Sequence, residues 1–268
     1  MEWSKIKNII LLILLGLNAF LLVMVVSQEF QARQFRQEAR TEAVTLLERN
    51  GITVDPSQLP PDASLPTLVL EEETAAGETL ARTLLGDVTV QSSGARAVYT
   101  SALGTMEAFS TGRFAADFAD GALPLDSETP EHHAQQLLER CGIPASYLES
   151  DAKEETTQLT YRQLLGEKPV FNAQITLSYT DGALRHMEGV LLPQGSAGEN
   201  LEETVTVATL LVRFLGQRNE SGRMFSQIVS LVPGYHFSGT RPFTLIPAWY
   251  VTTDTGSYVL SALDGDLL

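Results

Sequence analysis

The chain is 268 residues long and has 18 lysine and arginine residues against 33 aspartate and glutamate residues, a formal net charge of −15. This acidity argues against a nucleic-acid-binding protein, which needs a basic surface to neutralise phosphates. A single cysteine excludes an internal disulfide framework and a multi-cysteine metal site, and a hydrophobic fraction of 44% argues against disorder.

The first element along the chain is an apolar run from Ile9 to Val26, in which 16 of the 18 residues are apolar. At ~1.5 Å per residue, a helix of this length reaches roughly 27 Å, close to the thickness of a hydrocarbon core. The run predicts a transmembrane helix over residues 8–27, preceded by a cytoplasmic tail of residues 1–7. A cleaved signal peptide is the alternative, but the run is longer than a typical signal core and no A-x-A site follows it.

Basic residues lie on both sides of this span. Lys5 and Lys7 precede it, and Arg33, Arg36 and Arg40 follow it, so the positive-inside count does not decide the orientation. The signal-anchor form favours a folded part outside the cytoplasm, and so does the resemblance of the chain ends to a known family. We therefore expect a single-pass protein of the cell membrane with a cytoplasmic N-terminus and an extracytoplasmic C-terminal domain.

The middle of the span contains a polar residue, Asn18, with the small residues Gly16 and Ala19 close to it. A carboxamide in hydrocarbon is costly unless it finds a partner, and small residues allow another helix to approach. These three residues are candidates for a helix–helix contact inside the membrane. The alternative is an amide that a strongly apolar span simply tolerates.

The chain is polar and helix-prone over residues 28–40, which predicts a helical stalk. The helix is expected to end at Asn50-Gly51, because glycine follows the last periodic apolar residue. A proline-rich loop comes next, followed by strand-like runs at residues 67–70, 88–91, 95–101, 105–110 and 113–118.

A second helix start appears at Thr129-Pro130, a favourable N-cap followed by a favourable first helical residue. Around its end, Leu137–Ile143 (LLERCGI) repeats Leu46–Ile52 (LLERNGI), and Leu164–Glu167 (LLGE) repeats Leu84–Asp87 (LLGD). An internal duplication accounts for both repeats, although LLER followed by glycine is also a common helix ending. The duplication predicts two modules, residues 41–126 and 127–268.

The second half of the chain contains two hairpin signals and one further helix. Asp181-Gly182 is typical of a type I′ turn, and Asp254–Gly256 separates two more strand-like runs. Between them, an apolar stripe predicts a helix from Leu201 to Leu215 that ends at Gly216. This order predicts an α+β protein, with two related modules that each pack helices on an antiparallel sheet.

Residues at both ends of the chain resemble one known family. The opening Met1–Lys7 (MEWSKIK), with Leu17-Asn18 in the span, is similar to the start of YycI proteins, and so are Val232–Tyr235 (VPGY), Pro247–Val251 (PAWYV) and Tyr258–Ala262 near the other end. The resemblance implies a non-enzymatic, membrane-anchored regulator of a YycG (WalK) sensor histidine kinase that controls cell-wall metabolism. It also implies PepSY-like modules, with the kinase and a YycH-like protein as partners.

Three aromatic residues in the C-terminal segment are candidates for contact with a partner protein: Tyr235, Trp249 and Tyr250. A structural role is the alternative, in which Trp249 and Val251 fill the core side of a strand while Tyr250 faces outward. Pro233-Gly234-Tyr235 is interpreted as a turn between strands.

The sequence offers little enzyme chemistry, so we expect no catalytic residue, no metal and no cofactor. The histidines are not at zinc-binding spacing, and a lone Cys141 is more often a packed side chain than a nucleophile. Acidic runs at Glu71–Glu73 and Glu154-Glu155 are expected to be solvated. Two other functions remain open, a cell-surface ligand-binding or chaperone-like module and a cell-wall hydrolase.

Overall fold

The computed structural model describes residues 2–71, 75–153, 155–193, 196–200 and 202–268. The described residues form a mixed α+β protein with one long apolar N-terminal helix and a β-sheet domain. The helices are α1 (Glu2–Arg49), α2 (Ala76–Leu85), α3 (Pro130–Arg140) and α4 (Val207–Ser221).

The strands up to α3 are β1 (Thr53–Val54), β2 (Thr67–Leu70), β3 (Thr89–Ser93), β4 (Arg96–Ser101), β5 (Gly104–Phe109) and β6 (Arg113–Phe118). After α3 come β7 (Ala145–Lys153), β8 (Thr156–Leu165), β9 (Lys168–Thr180), β10 (Ala183–Val190), β11 (Ser196–Asn200), β12 (Gln227–Ser238), β13 (Thr244–Thr253) and β14 (Ser257–Ser261).

Hydrogen bonds connect the strands in the order β11-β2-β13-β12-β9-β10-β6-β5-β4-β3. Outside this path, β1 pairs with β12, β14 with β13, β8 with β9 and β7 with β8. Most pairs are antiparallel, whereas β1–β12 and the single β9–β12 contact, Val170 beside Tyr235, are parallel. This contact joins two groups of strands, β3–β10 on one side and β1, β2 and β11–β14 on the other.

Each group of strands has its own hydrophobic core, and a third core lies where the two groups meet. The first core lies entirely within residues 80–187, where α2 and α3 pack on β4–β10. The second combines the end of α1 with α4, β12, β13 and β14, and the third fills the space between β2, β9, β12 and β13. The second core therefore combines residues that precede position 126 with residues that follow it. The cores do not divide the chain into the predicted ranges 41–126 and 127–268.

Several sequence predictions are confirmed. The side chain of Thr129 caps α3, accepting a hydrogen bond from the backbone N–H of His132 at 3.3 Å. Asp181 and Gly182 both have positive φ, 54° and 70°, as a type I′ turn between β9 and β10 requires. The strands predicted between 67 and 118 form within one or two residues of their expected bounds.

Helix α2 and strands β7 and β8 were not expected from the sequence. The helix predicted over Leu201–Leu215 is displaced: Leu201 lies outside the described residues, and α4 begins at Val207, after the N-cap Thr206. The helix also continues through Gly216 and ends at Gly222, which has a φ of 66°. The helix end predicted at Gly216 is therefore wrong, because Gly222 and not Gly216 takes the left-handed conformation that favours glycine at a helix end.

The turn predicted at Pro233-Gly234-Tyr235 is wrong, because these residues lie in the middle of β12. Pro233 and Gly234 face Trp249 and Ala248 across the β12–β13 ladder. A Cβ added at Gly234 would lie 2.3 Å from the carbonyl oxygen of Pro169. The glycine thus permits the close approach of β9 to β12 and does not form a turn.

Candidate functional site

The most distinctive feature of the molecule is α1, an unbroken helix of 48 residues. At ~1.5 Å per residue it is roughly 72 Å long. Among the described residues it is the one helix apolar and long enough to cross a membrane, with a mean hydropathy of 2.8 in its most apolar window and none of that window buried. The chain thus has a candidate single-span anchor followed by a folded domain.

Within this span, the helix separates the residues that the sequence grouped together. At ~100° per residue, Gly16 and Ala19 lie about 60° apart on one face, whereas Asn18 lies about 200° from Gly16. The side-chain N–H of Asn18 donates to the carbonyl oxygen of Leu14 at 2.8 Å. Its Oδ1 has no partner among the described residues and remains an acceptor on the exposed side of the helix.

The stalk predicted over residues 28–40 is the direct continuation of the span in α1, and the last turns of α1 are part of the folded domain. Val44 is 7% exposed and Leu47 is 1% exposed, and both pack in the core that α4 completes. The helix ends in a glycine cap: Gly51 has a φ of 75°, and the N–H of Ile52 donates to the carbonyl oxygen of Leu47 at 3.0 Å. The span and the domain therefore share one rigid element.

A polar junction fixes α1 against the proline-rich loop and α4. The Arg40 guanidinium donates to the carbonyl oxygen of Pro60 and lies 3.8 Å from the carboxylate of Asp62. The same carboxylate accepts a hydrogen bond of 2.8 Å from the N–H of Val207, the first residue of α4. Asp62 thus holds a charge at the positive end of α4 and connects three segments distant in sequence.

Grooves open on either side of Arg40, next to the stalk. One, of about 640 Å³, lies between α1 and the proline-rich loop, and the other, of about 450 Å³, lies between α1 and the start of α4. Arg33 pairs with Glu29 on the same helix at 2.5 Å. Arg36 borders both grooves and makes no ion pair with any residue in the described part of the chain.

The three candidate contact aromatics lie close together in the sheet, but only one reaches the surface. Tyr235 is 4% exposed and Trp249 is 1% exposed, so neither ring is presented to a partner. Tyr250 is half-buried, as the strand alternation predicts. Its ring stacks on Phe171 at 5.3 Å, and the Arg162 guanidinium lies 4.8 Å from the ring centroid.

The histidines lie apart from one another, each with its own neighbour. His132 lies near Glu128, His133 hydrogen-bonds Tyr179, His186 pairs with Asp117 and His236 lies beside Asn172. In the part of the chain that the structure describes, no group of three or more His, Cys, Asp or Glu side chains could hold a metal ion.

Cys141 is packed at the end of α3, and burial raises the pKa of its thiol to about 11. The thiol is therefore protonated at neutral pH and is a poor nucleophile. Of the acidic runs, Glu71 and Glu155 are exposed, whereas Glu72, Glu73 and Glu154 lie outside the described residues.

The sequence pattern does not indicate the junction of Arg40 and Asp62. By local pattern, Arg40 is only one positive charge near the span, and Asp62 is only part of a proline-rich loop. An aspartate that caps a helix 145 residues later in the chain leaves no local pattern, because its partner is set by the tertiary fold.

No protein-family model matches the chain, and no curated protein matches it. Among solved structures, the chain is similar to the C-terminal domain of Bacillus megaterium YpeB, at 10% sequence identity and a TM-score of 0.36. That alignment covers 74% of this chain and 96% of the YpeB domain.

Proposed function

We propose that the chain is a non-enzymatic, membrane-anchored regulator of a sensor histidine kinase, with its folded domain outside the cytoplasm. The observation that carries the proposal is the continuity of α1, which begins in the apolar span and ends in the core of the folded domain. A rigid connection of this kind allows the position of the domain to change how the span is presented to a neighbouring helix.

Regulation requires contacts that favour one of the two states of the kinase. The span supports such contacts because all its described side chains are exposed and Asn18 retains an open acceptor oxygen. In hydrocarbon, a donor on a neighbouring helix is the available partner for this oxygen. Contacts of the folded domain with the kinase ectodomain would add to those of the span.

The nature of the partner comes from the resemblance of the two chain ends to YycI proteins. On this basis the partner is a sensor kinase of the YycG type, together with a YycH-like protein, and the process is cell-wall homeostasis. The location is the cell membrane, with residues 1–7 in the cytoplasm.

The test is purification of the full-length protein from membranes, followed by detection of co-purified sensor kinase. We expect wild-type protein to recover the kinase. Asn18→Leu should reduce recovery and change kinase output by several-fold, because it removes the amide and preserves the apolar surface. Asn18→Gln is the matched control, since it keeps a carboxamide at the same position.

Failure to recover any kinase with a well-folded protein would refute the proposal as a whole. Unchanged recovery and output with Asn18→Leu would refute only the part assigned to the span, and would leave the folded domain as the docking element.

A further inference from the structure

One face of α1 is covered by the folded domain at its C-terminal end and is uncovered along the stalk. At ~100° per residue, Ala43 and Leu47 lie within about 60° of Ala32 around the helix, and both are buried. Ala39 lies on the same face one turn before Ala43. There α1 and the start of α4 border the groove of about 450 Å³. A helix in this groove would continue the packing that α4 begins.

The same face carries a repeat of seven residues that runs from the span into the groove. The repeat has alternating intervals of three and four residues, and its members are Asn18, Leu21, Val25, Gln28, Ala32, Phe35 and Ala39. This spacing places its members along one seam of a helix, which is the pattern of helices that pack side by side. The seam connects the polar residue of the span with the groove beside α4.

Phe35 borders the groove, and its side chain is 73% exposed. It lies ~14 Å along the helix from Val26, the last residue of the apolar run, and the headgroup layer extends only ~5–8 Å beyond the hydrocarbon. Phe30 is ~6 Å from Val26, within the interfacial layer where an aromatic ring is favourable. Lipid therefore accounts for the exposure of Phe30, whereas Phe35 needs a protein to cover it.

Arg36 adds an unpaired charge at the border of the groove. Arg40 pairs with Asp62, but Arg36 makes no ion pair with any residue in the described part of the chain. If Ala32 is position a of the repeat, Arg36 is position e, which faces position g of a parallel partner helix. In a second copy that position is Gln31, which has no charge. The occupant that fits is a different helix, with an aspartate or glutamate opposite Arg36.

We propose that the groove between the stalk and α4 holds a helical extension of a transmembrane segment of the sensor kinase. This inference rests on the proposed regulatory function and extends its contact surface from the span to the stalk. The kinase helix packs an apolar side on Phe35 and Ala39 and pairs a carboxylate with Arg36. It thereby contacts α1 and α4 together, and both helices belong to the second core.

The test replaces Phe35 with the photocrosslinking residue p-benzoylphenylalanine in the full-length protein. The same replacement at Phe30 is the control, because Phe30 lies about 160° from Ala32 around the helix. Irradiation of membranes should crosslink position 35 to the kinase at least tenfold more than position 30. Mass spectrometry should place the crosslinked kinase residues within about ten residues of the extracytoplasmic end of a transmembrane segment.

Substitutions test the two side chains separately. Phe35→Ala and Arg36→Gln should each lower recovery of the kinase at least threefold, and Arg36→Lys should retain most of it. Arg140→Gln, in the exposed last turn of α3, removes the same charge elsewhere and should leave recovery unchanged. Thermal unfolding of each variant should match wild type, because all three side chains are exposed.

The outcomes separate this inference from the function on which it rests. Recovery of the kinase without a crosslink at position 35, or with equal crosslinks at positions 30 and 35, would overturn the inference and leave the proposed function intact. A crosslink from position 35 to a second copy of the chain would also overturn it. Failure to recover any kinase would refute the proposed function, and the inference with it.

Discussion

Gly234 lies where β9 comes closest to β12, and the absence of a side chain there sets the distance between two strands. A Cβ at this position would lie 2.3 Å from the Pro169 carbonyl oxygen and 2.6 Å from the Phe171 ring. We therefore expect Gly234→Ala to lower the free energy of unfolding by about 1–3 kcal/mol or more, as overpacking does. Chemical denaturation of the full chain in detergent measures this change.

Gly256 provides the matched control, because nothing lies within 4 Å of a Cβ added there. Gly256→Ala should leave the unfolding midpoint within experimental error of wild type. Equal stability of both variants would mean that β9 and β12 do not approach each other as described.

His133 gives the molecule a pH-dependent stability. Burial lowers the pKa of its imidazole, whose Nδ1 lies 3.0 Å from the hydroxyl of Tyr179. The unfolded chain therefore binds the proton more tightly than the folded one. The stability contributed by the neutral His133 is therefore complete above the usual histidine pKa of about 6.5. It is lost as the pH falls through the lowered pKa that His133 has in the folded protein.

Thermal unfolding between pH 7.5 and 5 should show this loss in the wild type. His133→Gln should reduce it, whereas His132→Gln, on the exposed side of the same helix, should not. Part of the loss should persist in His133→Gln, because burial also lowers the pKa of His236. A pH profile unchanged by His133→Gln would contradict the assignment.

At the scale of elements, α1 determines how the span and the folded domain are related. If the proposed regulation uses this rigid connection, the rotational phase of the stalk should matter more than its length. Insertion of two alanines after Gln34 rotates the span by about 200° relative to the folded domain and lengthens the stalk by ~3 Å. Insertion of four alanines rotates the span by about 400°, a net change of about 40°, and lengthens the stalk by ~6 Å.

We expect the four-residue insertion to retain more kinase regulation than the shorter two-residue insertion. Kinase autophosphorylation in membranes that contain each variant measures this. Two glycines inserted at the same site serve as a comparison, since glycine weakens the helix and should uncouple the span from the domain. A steady decline with stalk length, regardless of phase, would exclude rigid coupling.

Elements defined by local patterns could be predicted, and elements defined by distant partners could not. The apolar span, the Thr129 cap and the Asp181-Gly182 turn are each specified by neighbouring residues. Strand β1 has only two residues and exists because Thr53 pairs with Gln227, which no local pattern indicates. The open acceptor of Asn18 could be anticipated from its place in the span, but the role of Asp62 could not.

At the scale of the whole molecule, the two sequence repeats have different structural meanings. Leu46–Ile52 and Leu137–Ile143 both end a helix with a glycine cap, since Gly51 and Gly142 have φ values of 75° and 68°. In the second repeat, Leu84-Leu85 ends helix α2, whereas Leu164-Leu165 ends strand β8. Gly86 and Gly166 follow with φ values of 74° and 58°. The first repeat therefore reflects a shared helix ending, whereas the second places a leucine pair and a positive-φ glycine at the ends of two different kinds of element.

The division of the hydrophobic cores leads to a prediction about fragments. Every buried residue of the first core lies within residues 80–187, whereas the second core needs residues 44–54 together with residues 207–262. A fragment of residues 75–191 should therefore fold alone, at reduced stability because it exposes Val170 and Ala173, which pack against the other group of strands. A fragment of residues 41–126 should not fold, because Leu47 and Ile52 lose their partners.

Circular dichroism and thermal unfolding of the two fragments distinguish these outcomes. We expect a cooperative transition for residues 75–191 and none for residues 41–126. This result would place an independent folding unit in the middle of the chain, between the two segments that form the second core. Cooperative folding of residues 41–126 would instead support the duplicated modules inferred from the sequence. Because only the second core contains the end of α1, the first result would also separate the part of the molecule that is continuous with the span from the part that folds without it.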